Sequence, residues 1–112
     1  MVNERRGPRL CLDPDHRSLF GKSNRVIWIE SSPPGELAAA YQQHLVSYAV
    51  RQALRDSGQT IEQLARDAGL GIETLRRKLR GEVWMSLTDM ATLELTFPEV
   101  HSIRTQSELL PK

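Results

Sequence analysis

Residues 60–81, TIEQLARDAGLGIETLRRKLRG, decide how this 112-residue chain is read. They describe a helix, a tight turn and a second helix whose surface is divided. Ile72, Leu75 and Leu79 fall on one side at helical spacing, while Glu73, Arg76, Arg77 and Arg80 recur at i, i+3, i+4 and i+7 on the other. The apolar seam ties this helix to a small core and leaves a guanidinium-rich face outward. Guanidinium groups donate in pairs to the O6 and N7 edge of guanine and pair with phosphates, so such a face suits the major groove of DNA.

The first half of the stretch supports the turn. Thr60 is a good N-cap, and Gln63 three residues later completes a capping box that satisfies two otherwise orphaned N–H groups. Ile61, Leu64, Ala65 and Ala68 give the helix an inward face, with Ala65 small enough for two short helices to cross closely. Gly69 stands where the chain reverses and a positive φ is needed, and Leu70 plugs the corner. On Thr60, Leu64, Ala65, Gly69, Leu70, Leu75 and the closing Gly81, the sequence resembles the Cro-type, lambda-repressor-like (XRE-like) helix-turn-helix family over roughly Leu45 to Leu95. The ending TLRRKLRGE followed by SLTDMATL is most similar to short immunity repressors and Cro-like regulators of actinobacterial phages. The resemblance implies a mainly α fold: a four- to five-helix DNA-binding domain, here with an N-terminal arm and one short β-strand. It also implies a DNA-contacting set of Thr60, Gln63, Gly71, Ile72, Glu73, Thr74, Arg76, Arg77, Lys78 and Arg80. Within that set, Arg76 and Arg77 are expected on guanine edges and Lys78 and Arg80 on phosphates. Glu73 is expected on a cytosine amino group or as an orienting partner of Arg77. The chain departs from the family at Ile61, where a polar residue often touches a phosphate, and at Gly71, which caps without a hydroxyl to offer.

Composition sets outer limits. The length suits one domain with a modest core, and hydrophobic and charged contents of 39% and 26% are those of an ordinary globular chain. The net charge of +1 argues against a coating protein whose affinity comes from bulk charge. Charge is instead distributed: six cations against three acids over residues 1–25, four against one over 73–80, two against four over 86–112. One cysteine, Cys11, excludes an internal disulfide framework and a cysteine-built zinc site. No apolar run has membrane-spanning length and no signal-peptide core is seen at the N-terminus, so the expected compartment is the cytoplasm.

Four segments follow along the chain. Residues 1–24 read as a flexible or irregular basic arm, either an ordinary terminus or one whose Arg5, Arg6 and Arg9 follow a phosphate backbone or minor groove. Residues 25–34 hold the β-rich run VIWIE and a Pro-rich turn; a lone strand needs a partner, and the internal candidate is Val100 to Ile103. Residues 35–104 form the DNA-binding domain, and 105–112 a tail. Its first helix is expected from Pro34 or Gly35 to about Ser57, with Gly58 as the stop. One stripe of that helix, Val46, Ala49, Val50, Ala53 and Leu54, matches the family's first core helix. A second, Leu37, Tyr41, Leu45 and Tyr48, lies on the opposite side and with Trp28 is a candidate dimer interface; the alternative neighbour is the VIWIE strand folding back. Ser86 and Asp89 begin a fourth helix with Leu87, Met90, Ala91 and Leu95 inward, and Pro98 ends it.

No catalytic or cofactor chemistry is expected. His16, His44 and His101 show no metal-ligand spacing, His44 reading as a surface or interface residue. Asp13, Asp15 and His16 lack a second constellation, and no phosphate-cradling glycine loop is present. The expected partner is double-stranded operator DNA, with a homodimer as candidate assembly and no membrane or small-molecule ligand evident. The expected role is a transcriptional regulator, a phage or mobile-element repressor or Cro-like protein. The competing role is an antitoxin that neutralises a toxin and autoregulates through the same two helices.

Overall fold

Helix α1, Pro34–Ser57, is the axis on which everything else is built. It starts on a proline, whose missing N–H costs nothing in a first helical turn, and stops where Gly58 turns left-handed and returns its N–H to Leu54. The computed structural model describes residues 7–23 and 25–109, the side chains of 107–109 excepted. The described chain is mainly α, with α2 (Ile61–Ala68), α3 (Ile72–Leu79), α4 (Leu87–Thr96) and α5 (Glu99–Leu109) following α1.

The first stripe of α1 carries the main core. Val46, Ala49, Val50 and Ala53 are buried with Leu64 and Ala65 of α2, Leu75 and Leu79 of α3, Met85, Leu93 of α4, Phe97 and Val100. At eight residues each, α2 and α3 are too short to persist alone. Their buried leucines, each contributing about 1.5–3 kcal/mol, hold them in place. α5 packs along α1, and Glu94 of α4 receives both Arg104 (2.5 Å) and His101 (3.1 Å) of α5.

The second stripe is covered by the chain's own N-terminal part. Residues 7–23 form two 3-10 turns: Pro8–Cys11, laid against α1, and Pro14–Leu19, packed on the first turn. Leu12 and Phe20 are fully buried. Asp13 caps the second turn by accepting from the Asp15 N–H, and His16 Nδ1 accepts from the Ile27 N–H. The triad that invited a chemical reading thus holds the wrap together. Residues 7–23 form an irregular wrap built on these two turns.

Other expectations are corrected. The VIWIE run makes only an isolated antiparallel bridge, Leu12 to Trp28, through Asp13 N–H to the Ile27 carbonyl (2.8 Å) and Ile29 N–H to the Cys11 carbonyl (2.7 Å). Its partner is not Val100 to Ile103, which lies in α5. Pro98 follows the end of α4 as expected, yet α5 begins at once and reaches Leu109, within the segment read as a tail. On α4 the inward residues are Leu93 and, partly, Met90. Leu87 and Leu95 are 84% and 82% exposed and Ala91 lies outward between them. No helix among the described residues is long and apolar enough to cross a membrane.

Candidate nucleic-acid interface

The turn between α2 and α3 is built by local chemistry. Thr60 Oγ1 accepts from the Gln63 N–H (3.1 Å), and the Thr60 N–H donates to Gln63 Oε1 (2.9 Å). Both side chains, expected at DNA, are thereby engaged in starting α2. Gly69 takes the left-handed conformation at φ 71, and the next N–H, of Leu70, returns to the Ala65 carbonyl. Gly71 caps α3 from an extended conformation without a side-chain bond. Leu75 and Leu79 are buried and Ile72 is half-buried against the core, while Glu73, Thr74 and Arg77 are exposed.

Every cation on α3 meets a carboxylate. Arg76 reaches Glu62 of α2 at 3.0 Å and Glu73 at 3.7 Å. Arg80 reaches Glu82 at 2.6 Å and Glu73 at 3.7 Å, Arg77 reaches Glu82 at 3.5 Å, and Arg9 of the wrap lies 4.0 Å from the same carboxylate. The Arg80 hydrogen bond, against a smaller opposing effect of burial, holds the Glu82 carboxyl below its ordinary range, so it remains ionised. Pairs this exposed are worth about 0–1 kcal/mol each and exchange readily for other partners. Lys78 differs. Its side chain is 20% exposed, against 38–45% for Arg76, Arg77 and Arg80, and its Nζ lies 2.5 Å from Asp89, the carboxylate that also receives the Ser86 N–H in the α4 capping box. Burial raises the Asp89 carboxyl, but Lys78 and Ser86 together outweigh it and keep it ionised. Lys78 therefore fastens α3 to α4, and its expected role at phosphates is not what its surroundings favour.

Gln43 and Gly7, which sequence reading missed, position the C-terminal end of α3 together with the closing Gly81. Gln43, fully buried on α1, donates through Nε2 to the Lys78 and Val83 carbonyls (2.8 and 3.0 Å) and accepts the Met85 N–H on Oε1 (2.7 Å). Gly81, at φ 76, leaves the helix under the Phe20 ring; a Cβ there would lie 2.7 Å from that ring. Gly7 approaches so closely that a Cβ would stand 2.4 Å from the Glu82 carbonyl oxygen, and the Arg9 N–H donates to the Gly81 carbonyl (3.1 Å). The wrap and the end of α3 are one packing unit.

The remaining expected residues separate accordingly. Arg9 belongs to this unit; Arg5 and Arg6 lie outside the described residues. Of the candidate dimer residues, Leu45 is buried within the chain, and Trp28 meets the rings of Tyr41 and His44 edge-on at 5.8 and 5.5 Å. Leu37 and Tyr48 are half-buried, and the Tyr48 hydroxyl accepts from Gln52. His44 is not at the surface: it is 1% exposed, with Phe20 and Trp28 against its ring and the Gly21 N–H donating to its Nδ1 (2.9 Å). Among the described residues no group of His, Cys, Asp and Glu is arranged to hold a metal ion. No protein-family model, curated protein or solved structure matches the chain.

Proposed function

We propose that the chain is a sequence-specific double-stranded DNA-binding regulator of the lambda-repressor-like helix-turn-helix kind, reading the major groove with α3. The observation that carries this reading is the division of α3. Leu75 and Leu79 are buried to 1% exposure, and Arg76, Arg77, Thr74 and Glu73 stand together on the outward side. The carboxylates around them lower the field of the face in the free protein. Nonspecific affinity is thereby held down while the guanidinium groups remain available for exchange onto base edges. Enrichment of duplexes from a randomised pool, followed by affinity on the enriched and a scrambled site at two salt concentrations, tests the reading. Equal affinity for both sites would overturn it.

Arg76→Ala and Arg77→Ala are expected to weaken binding to the enriched site at the low end of the roughly 1–3 kcal/mol of a bidentate base contact. Each arginine must first leave a carboxylate. Relaxed preference at one or two base pairs marks a base contact, whereas equal loss on both duplexes marks a phosphate contact.

One α3 spans only part of a helical turn, and such readers pair on half-sites about 34 Å apart. For this chain the pairing surface we propose is the outward stripe Leu87, Ala91 and Leu95 of α4, the more exposed of the two apolar faces, since Trp28 and Tyr41 already pack against each other within one chain. Leu95→Asp is expected to convert a dimeric complex into one protein per duplex while leaving the helical circular dichroism unchanged. A wild-type complex that sediments as one protein on a two-half-site duplex would remove the dimer.

A further inference from the structure

Beside the C-terminal end of α3, α1 and the turn at Gly21 enclose a half-open pocket of about 420 Å³. Lys22, Arg51 and Arg55 line it, together with Tyr48 and Gln52. No carboxylate pairs with any of these three cations among the described residues, in contrast to the neighbouring face of α3, where every cation has one. Arg51 is the informative member. Its Nε–H is buried and meets no acceptor. Burial, and then the like charge of Arg80, disfavour its charged form. A half-buried guanidinium with a second cation nearby is costly unless an anion neutralises it. The Arg55 Nη1 donates to Gln52 Oε1, and Gln52 Nε2 donates to the Tyr48 hydroxyl, so the wall carrying the cations is itself tied in place.

We propose that this pocket is a phosphate site, in which the Arg51 guanidinium charges the inner wall and Lys22 and Arg55 close over the oxyanion from the rim. Arginine's planar fork suits a tetrahedral oxyanion, and the volume falls within the range of small-molecule sites, about 300–1,000 Å³, leaving room for the group that carries the phosphate. Two sources share this chemistry. One is a backbone phosphate of a duplex lying along α3, which rests on the DNA-binding reading; the other is a free phosphate ester, which does not.

The full-length chain, labelled with nitrogen-15, is titrated with inorganic phosphate at constant ionic strength, chloride serving as control, and the Arg51 Nε–H resonance is followed. The site predicts a saturable shift with phosphate and none with chloride, and at least a tenfold weaker apparent affinity in the double variant Lys22→Ala/Arg55→Ala, whose rim side chains are not part of the core. In parallel, the salt dependence of duplex binding is compared for wild type, that double variant and Arg51→Gln. A fall of about 0.9 in the log–log slope for one lost phosphate contact identifies the backbone phosphate, with or without a response to inorganic phosphate. A saturable phosphate response with an unchanged slope, or with no duplex binding at all, identifies the free ester and leaves the site standing even where the DNA reading fails. Neither response would overturn the proposal.

Discussion

Lowering the pH from 6.5 to 4 is expected to remove about 3 kcal/mol of folding stability through His44 alone. Burial lowers this imidazole from its ordinary 6.5 to about 4; a backbone group of Ser23 opposes the shift but closes no hydrogen bond to Nε2. The folded chain thus keeps His44 neutral where the unfolded chain protonates it. Stability is fully present above the unfolded value, falls as the pH drops below it, and stops falling once the folded value is passed, at about 1.4 kcal/mol per unit. The geometry gives the same sign. Nδ1 accepts from the Gly21 N–H at 2.9 Å, and a protonated ring would bring a second donor against that N–H between Phe20 and Trp28. Carboxylates held below their ordinary range, Glu82, Asp89 and Glu94, add their own loss only at lower pH. Urea denaturation across pH 4–7 reads the effect. His44→Gln, whose amide offers an acceptor without a titrating proton, should flatten the profile between pH 6.5 and 4.5 even if it is less stable at pH 7. A wild-type profile already flat over that interval would show that the ring is hydrated and charges freely.

The parts of this molecule that were legible in the sequence are those decided locally. Thr60 with Gln63, and Ser86 with Asp89, mark helix starts because each box closes within four residues, and Gly58 and Gly69 mark stops through their backbone alone. The two stripes of α1 were legible as well, but not their polar members. Gln43 stands at i−3 from Val46 and i−7 from Val50, and His44 at i+3 from Tyr41, so both sit on stripes whose other members are buried or half-buried. A polar residue on an apolar stripe is one that the fold must satisfy, and periodicity carried that signal. α4 was misread for the opposite reason. Leu87, Met90, Ala91, Leu93 and Leu95 ring the helix, so spacing could not choose a face, and the choice fell to Val100 and Phe97 packing beside Leu93. The wrap was least legible. Its order rests on Gly7 against Glu82, Phe20 under Gly81 and Leu12 against Trp28, contacts that join residues far apart in the chain and leave no local period. The ion pairs of α3 follow the same division: Glu73 to Arg76 is written in helical spacing, whereas the gathering of Arg9, Arg77 and Arg80 on Glu82 depends on where the wrap lands.

Gln43→Leu is expected to cost about 2–5 kcal/mol, although leucine is apolar, of similar size and placed in a buried site. The reason lies in what the amide leaves behind. The Lys78 carbonyl keeps a second partner in the Gly81 N–H at 3.1 Å. The bonds from Gln43 to the Val83 carbonyl and from the Met85 N–H have no such replacement among the described residues; an orphaned buried group such as the Met85 N–H costs about 1–3 kcal/mol, and the part-buried Val83 carbonyl adds a smaller loss. The loss falls on the segment that carries α3 into α4, between Lys78 with its tie to Asp89 and the buried Met85. Two measurements follow. Chemical denaturation should show the lower stability at an unchanged denaturant slope, as expected when the folded state is weakened and not the exposed area. Hydrogen exchange should show the Met85 amide, protected in the wild type, released in the variant well before the amides of α1. A cost below about 1 kcal/mol with Met85 still protected would mean that water replaces the amide at no penalty, and Gln43 would lose its role as the clamp that aims α3. With the clamp released and α3 still folded through Leu75, binding to an enriched duplex should weaken more than the stability loss alone accounts for at a temperature where the variant remains folded. That excess separates a residue that orients the proposed reading helix from one that only helps the chain to fold.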